Sequence, residues 1–156
     1  MTKQVLMNPV LKMLTTWFGL GYVPVAPGTA ASIAGVVLSF ILAPFSFWYL
    51  AVLVVLFAVG VIGSTQLEKE IGESDPRFAV IDEVVGVMVA LAGLPVTFPI
   101  AICGFFLFRA FDMFKIYPIN KFESLPGGWG IMMDDIMAGL YTNIVLHIAW
   151  AWAMSR

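Results

Sequence analysis

Five carboxylates stand near the ends of apolar segments: Asp82 and Glu83, Asp112, and Asp134 and Asp135. Oxygen donors of this kind suit hard divalent cations such as Mg²⁺ or Mn²⁺. Gathered without a cation, they would repel one another strongly. Arg109 lies three residues before Asp112, so a helix presents both on one face. Its guanidinium offers a bidentate fork to phosphate, and Lys115 offers a point charge. Glycine-rich segments at 19–29 and 126–130 flank the acids. There Gly28 and Gly128 would let backbone N–H groups approach an anion at a helix start, and Thr29 would either cap its helix or touch phosphate. The single histidine, His147, falls about three turns past Asp134 on a helix, roughly 18–20 Å away, so no zinc-type cluster forms.

Each residue also has a plainer role. Acids at helix N-termini are stabilised by the dipole, glycines serve turns, and lysines reach toward lipid headgroups. Capping does not account for Asp112, which sits near a helix C-terminus, or for two acids occurring in tandem twice. A shared metal site accounts for the whole set.

The elements that must position these residues are apolar. Of 156 residues, 61% are hydrophobic and 12% are charged, with a mean hydropathy of +0.97. The charged share is about half that of a soluble domain. No charged side chain occurs from Met13 to Leu67. A soluble fold must face water and cannot use so much continuous apolar sequence, whereas a bilayer can accommodate it. A net charge of −2 leaves no basic excess for nucleic acid. The lone cysteine, Cys103, lies in an apolar run and can form no internal disulfide. Residues 1–20 carry Lys3, Asn8 and Lys12 and do not form a secretory signal. Val10, Leu11, Leu14, Trp17 and Phe18 recur there at helical spacing, which predicts an amphipathic segment on the membrane surface. The length suggests one domain, without internal repeats.

Five apolar stretches follow, at about 29–43, 47–65 (continuing into the charged 66–74), 82–94, 96–114 and 134–154. They predict an all-α, polytopic membrane bundle of about four to five membrane-embedded helices, with an N-terminal interfacial amphipathic helix. A spanning helix needs about 20 residues, so the first and third are short. The third would either cross a thinned bilayer or form a half-helix buried among the others. The links at Pro44–Ser46 and Gly93–Pro95 are tight and uncharged, so each makes a hairpin. One face then receives seven of the eight Lys and Arg residues and the other only Arg156, which marks the crowded face as cytoplasmic. Trp48, Tyr49, Trp150 and Trp152 fall at the far interface. Gly35, Gly86 and Gly139 predict close helix packing, and Asn143 and His147 predict hydrogen bonds to neighbouring helices. Glu68, Lys69, Glu70 and Glu73 form a solvated extension with at most i,i+4 pairing.

Four segments, GYVPVAPGT (21–29), VIDEVVG (80–86), FRAFDMFKIYPI (108–119) and GGWGIMMDDIMAG (127–139), occur in the order and spacing of the phosphatidylglycerophosphatase A family, which the chain resembles over nearly its whole length. Tyr117 and Trp129 are mild departures. The resemblance implies a single integral-membrane phosphatase domain over 1–156. It implies Mg²⁺-dependent hydrolysis of phosphatidylglycerophosphate to phosphatidylglycerol and phosphate at the cytoplasmic face of a bacterial inner membrane, with membrane phospholipid as the partner. Asp82, Glu83, Asp112, Asp134 and Asp135 would hold the metal, with Asp82, Asp112 and Asp135 catalytic. Arg109, Lys115, Thr29, Gly28 and Gly128 would bind phosphate. Water attack and a covalent aspartyl-phosphate both fit this set. Cys103 and Arg109 are separated by a helical run and form no phosphate-binding cysteine loop. Two other functions compete. A small ion-coupled transporter would place its acids near the midplane. A non-catalytic lipid-binding membrane subunit would have no need of five carboxylates. Spacing ranks neither Asp134 nor Asp135 as the ligand and leaves the oligomeric state open.

Overall fold

Proline and glycine punctuate this chain into helices. In the computed structural model, which describes residues 7–156, α1 spans Pro9–Thr15, α2 Pro27–Leu42, α3 Ser46–Ile71, α4 Ile81–Leu91, α5 Phe98–Phe114, α6 Ile119–Phe122 and α7 Gly128–Met154, with a 3₁₀ turn at Leu20–Tyr22. No strand occurs among the described residues. Prolines open α1 and α2, where the missing N–H costs nothing. Gly72 ends α3 in the left-handed conformation. Lys3 lies outside the described residues.

The short α4 is the hub. Nine of its 11 residues are buried, so it is apolar all round, apart from Asp82 and Glu83 at its start. At roughly 16 Å it is half the thickness of a hydrocarbon core. It is the half-helix packed among the others that its length allowed. Glycines let the neighbours close on it. A Cβ on Gly35 of α2 would press on the Val84 carbonyl, and one on Gly139 of α7 would strike the Gly86 carbonyl. Gly86 in turn accepts the Phe108 ring from α5. Backbones can approach this closely only where side chains are absent, and the fully buried Phe108, Leu91 and Val87 fill the space around them.

The links between α2 and α3 and between α4 and α5 line one cavity of about 380 Å³, at the end of the bundle away from Asp82. Both hairpins therefore turn at the same end, as their uncharged sequences required. Asn143 donates to the carbonyls of Ala90 and Ala92, at 3.1 and 2.9 Å, and so satisfies the C-terminus of α4. Among the described residues His147 bonds only to the Asn143 carbonyl of its own helix, and it is exposed.

Among the described residues two helices, α3 and α7, are long and apolar enough to cross a membrane, and only 22% of each apolar window is buried, so most of that surface faces outward. The other apolar helices are shorter, with 16 residues in α2, 11 in α4 and 17 in α5. Tyr49, expected among the aromatics of the far interface, is turned into the bundle. It is buried, and its hydroxyl donates to the Met88 carbonyl at 2.6 Å and lies 3.0 Å from Ser39 Oγ, which ties α2, α3 and α4 together. A phenol turned inward needs partners, and the backbone of α4 supplies one.

The N-terminal amphipathic segment is also shorter than its periodicity suggested. Trp17 and Phe18 adopt positive φ and end the helical path. Leu11 and Trp17 pack inward while Val10 and Phe18 stay exposed. Thr15 fills the notch at Gly63 of α3, and Lys12 pairs with Glu70 at 2.9 Å. The charged end of α3 is therefore not merely solvated: Glu70 is the dock for α1. That ion pair holds the Lys12 pKa above its ordinary value, against the opposing effect of burial.

Candidate active site

Four helix ends and one loop meet over a cavity of about 340 Å³. α2 contributes Gly28 and Thr29, the loop before α4 contributes Asp75 and Arg77, α4 contributes Asp82 and Glu83, α5 contributes Arg109 and Asp112, and α7 contributes Asp134 and Asp135.

Asp82 and Glu83 occupy the first turn of α4, but neither side chain caps it. They point instead toward Asp135. One oxygen from each of Asp82, Glu83 and Asp135 lies within 4.8 Å of the other two. In each of these residues one buried carboxylate oxygen lacks a hydrogen-bond partner among the described residues: Asp82 Oδ1, Glu83 Oε2 and Asp135 Oδ2. Unpartnered carboxylate oxygens are costly in a protein interior, and three carboxylates this close, each with one such oxygen, fit a divalent cation.

Asp134 and Asp135 do not open α7. The helix starts six residues earlier, at Gly128, and its first turn carries no acid. Helix formation within Gly127–Gly130 runs against propensity, but packing compensates. Gly128 N–H donates to Thr65 Oγ1 at 2.8 Å, and a Cβ there would strike the Val61 carbonyl of α3. Gly128 is thus a packing contact on α3 and does not line the acidic cavity. Asp134 and Asp135 sit in the second turn, beyond most of the dipole's reach, so capping does not explain them.

The two residues differ in surroundings. Asp134 Oδ1 accepts the Asp135 N–H at 2.9 Å, and Asp134 Oδ2 takes Lys115 at 3.2 Å. Lys115 stands in the left-handed conformation at the end of α5, which turns its side chain back toward the bundle. It also meets Glu123 at 2.7 Å. Burial alone would lower its pKa, but the two carboxylates outweigh that and hold it above the ordinary lysine value. Asp112, in the last turns of α5, accepts from Arg109 Nη1 at 2.7 Å. Of the five carboxylates, three therefore cluster and keep a free oxygen each, while Asp112 and Asp134 are engaged by cationic side chains.

Gly28 has a steric task here. A Cβ on it would run into Glu83 Oε1 and come within 3.4 Å of Arg109 Nη1. Its lack of a side chain lets the Glu83 carboxylate and the Arg109 guanidinium reach the start of α2. Thr29 lies in the cavity wall rather than at the cap, since α2 begins at Pro27 behind Ala26.

Asp75 and Arg77, which residue type and spacing do not single out as site residues, also line the cavity. Arg77 is exposed, reaches the cavity and has no ion-pair partner among the described residues. The sequence held a cue: Asp75-Pro76-Arg77 is a rigid turn a few residues before the tandem acids, so it must lie on their face. Cys103 is exposed on α5, within a helix unbroken from Phe98 to Phe114.

The family model for phosphatidylglycerophosphatase A matches residues 13–150. A protein of Bacteroides thetaiotaomicron, provisionally named a phosphatidylinositol-3-phosphatase, is 43% identical over 90% of this chain and 92% of its own length. Proteins named phosphatidylglycerophosphatase A from Haemophilus influenzae and Escherichia coli are 35% and 36% identical, over 96% and 88% of this chain and 93% and 85% of their own. No solved structure matches. The acids, arginines and glycines that build the cavity fall inside the matched span, and the chain belongs to the phosphatidylglycerophosphatase A family.

Proposed function

We propose that this protein is a Mg²⁺-dependent lipid phosphatase that hydrolyses phosphatidylglycerophosphate to phosphatidylglycerol and phosphate at the cytoplasmic face of a bacterial inner membrane. The observation that carries the reading is the convergence of the Asp82, Glu83 and Asp135 carboxylates, each with a buried unpartnered oxygen, in a cavity that also holds two guanidiniums. The cavity wall carries six carboxylates (Asp75, Asp82, Glu83, Asp112, Asp134 and Asp135) against Arg77 and Arg109. A phosphate dianion would be repelled by that balance unless cations restored it. Asp82, Glu83 and Asp135 would hold Mg²⁺, which when bound supplies charge neutralisation and Lewis acidity to a phosphoryl group.

The chain's own residues supply the rest. Asp112 orients Arg109 so that its remaining N–H groups face the cavity, where they would bind the phosphoryl oxygens. Arg77 adds a second guanidinium from the rim. Water attacks phosphorus in line with the ester oxygen, the P–O bond to the glycerol headgroup breaks, and the departing alkoxide takes up a proton from solvent, matching the one the attacking water gives up. Asp112, outside the converging trio, is placed to accept the proton from the attacking water. Lys115 holds Asp134, and Asp134 in turn accepts the N–H of Asp135, which steadies the backbone beneath it.

In the membrane, α3 and α7 cross. The outer faces of α2 and α5 lie against hydrocarbon, with Ile33, Val37, Ile41, Phe98, Ile102 and Phe106 exposed. α4 is shielded inside the bundle. Lys12, Lys69, Arg77, Arg109, Lys115 and Lys121 share the end that holds the cavity, so the positive-inside tendency makes it cytoplasmic. The acids line an end of the bundle rather than its middle, unlike the pathway of a carrier.

The test is phosphate release by the purified protein from phosphatidylglycerophosphate, with Mg²⁺ or with a chelator. Release with Mg²⁺ alone is expected, and no release in either condition overturns the enzyme reading. The name carried by the Bacteroides relative favours a second substrate, phosphatidylinositol 3-phosphate. Assayed in parallel, faster turnover of that lipid would move the assignment to it.

A further inference from the structure

An apolar groove of about 300 Å³ runs between α2 and α5, lined by hydrocarbon side chains alone, among them Ile33, Val37 and Phe40 on α2 and Phe98, Ile102 and Phe105 on α5. It exists because α2 leans on α4, and α5 on α7 and α4, rather than on each other. Gly35 seats α2 against Val84, and Gly104 of α5 accepts the Leu91 side chain, so the outer surfaces of α2 and α5 diverge. The rings of Phe40 and Phe98, 5.3 Å apart, close the far end.

The groove continues the acidic cavity. Thr29 lines the cavity and Ile33 the groove, four residues on. Arg109 lines the cavity and Phe105 the groove, four residues back. Residues at this spacing lie one above the other on a helix face. One pair of helices thus presents arginine and carboxylates at its charged end and an uninterrupted hydrocarbon channel beyond. The channel runs roughly 10–12 Å along the helix axes, the rise of the residues that line it.

We propose that this groove holds one acyl chain of the phosphomonoester lipid substrate, which enters the cavity sideways between α2 and α5. The proposal rests on the phosphatase reading above and adds the path by which the substrate reaches the site. A second copy of the chain would match the apolar groove but would leave the adjoining polar cavity without a ligand. A single molecule with a phosphate head and a hydrocarbon tail satisfies both at once. Within a bilayer the chain is already among hydrocarbons, so the groove contributes orientation more than affinity.

Photolabelling of the unaltered protein tests occupancy. The probe is the phosphonate analogue of phosphatidylglycerophosphate, with CH₂ in place of the scissile ester oxygen and a diazirine midway along one acyl chain. It is presented with Mg²⁺ in phosphatidylcholine vesicles. Label is expected within 33–40 and 98–106, suppressed by unlabelled phosphonate but not by further phosphatidylcholine. Label spread equally over the outer faces of α3 and α7, or insensitive to the competitor, overturns the proposal, as does a chain-to-chain cross-link through these segments. Val37→Trp and Ile102→Trp, which fill the groove from its exposed rim, supply the second measurement. Each should lower kcat/KM for the dioleoyl substrate by on the order of tenfold and leave the dibutyryl substrate unchanged. Loss on both substrates alike, or on neither, counts against the groove. If the unaltered protein releases no phosphate from either substrate, the phosphatase reading fails while the labelling result still stands.

Discussion

The two tandem acid pairs look alike in the sequence and behave differently in the fold. Asp82-Glu83 sits in the first turn of a buried helix, where the dipole favours negative charge, yet neither side chain is spent on capping. Asp134-Asp135 sits in the second turn of a longer helix, with little help from the dipole, and its members divide the work. Asp134 is tethered to Lys115, whereas Asp135 keeps an unpartnered oxygen and clusters with Asp82 and Glu83. Position on a helix does not make a carboxylate available to a cation. What matters is whether a neighbouring donor has already taken its oxygens.

The largest expected effect tests that division directly. Asp135→Asn and Asp82→Asn should each cut phosphate release by on the order of 10³-fold while the helical circular-dichroism signal is kept. Asp112→Asn belongs with them, since it loses both the proton acceptor and the anchor of Arg109. Near-normal turnover in all three would return these acids to a structural role.

A step smaller is Gly28→Ala. The added methyl meets Glu83 and should displace it from the shared point. The Mg²⁺ concentration needed for half-maximal release should then rise by about tenfold, with less change at saturating Mg²⁺. An unchanged Mg²⁺ requirement would remove Glu83 from the ligand set.

Asp134→Asn and Lys115→Met should each cost about tenfold, and the double variant no more than either alone, because they remove one interaction. Multiplying effects would mean the two act separately. If Asp134→Asn proved worse than Asp135→Asn, the roles of the pair would be reversed.

The smallest effect lies away from the cavity. Lys12→Met breaks a half-exposed ion pair and should change stability by less than about 1 kcal/mol in chemical denaturation, with turnover unaltered. A large loss of turnover would tie the docking of α1 to the site.

Much of this was legible from residue types. Apolar runs broken by Pro44 and Pro95 mark helices and their hairpins, because proline and charge are excluded from helix interiors in an apolar setting. Asp82, Glu83, Asp112, Arg109 and Asp135 were recognisable because ionised groups at the ends of such helices demand partners. Other features were not legible. Asp134 and Asp135 looked like a helix start because Gly127, Gly128 and Gly130 read as a turn, and only the contact of Gly128 with α3 lets the helix begin among them. Gly128 looked like a phosphate contact for the same reason. Tyr49 resembled an interfacial aromatic because nothing local reveals the Met88 carbonyl that its hydroxyl meets. Arg77 was hidden in a charged run whose other members serve elsewhere or also reach the cavity, with Glu70 docking α1 and Asp75 beside it in the wall.

Composition and the spacing of charges were enough to establish an all-helical chain with its acids at one end, since those features depend only on what a backbone and a charge require of their surroundings. The choice of which acids converge, which are tethered and which glycine admits them belongs to packing. Those contacts join residues many tens of positions apart, with Gly28 against Glu83 and Asp82 against Asp135, and no local pattern encodes a distance between helices.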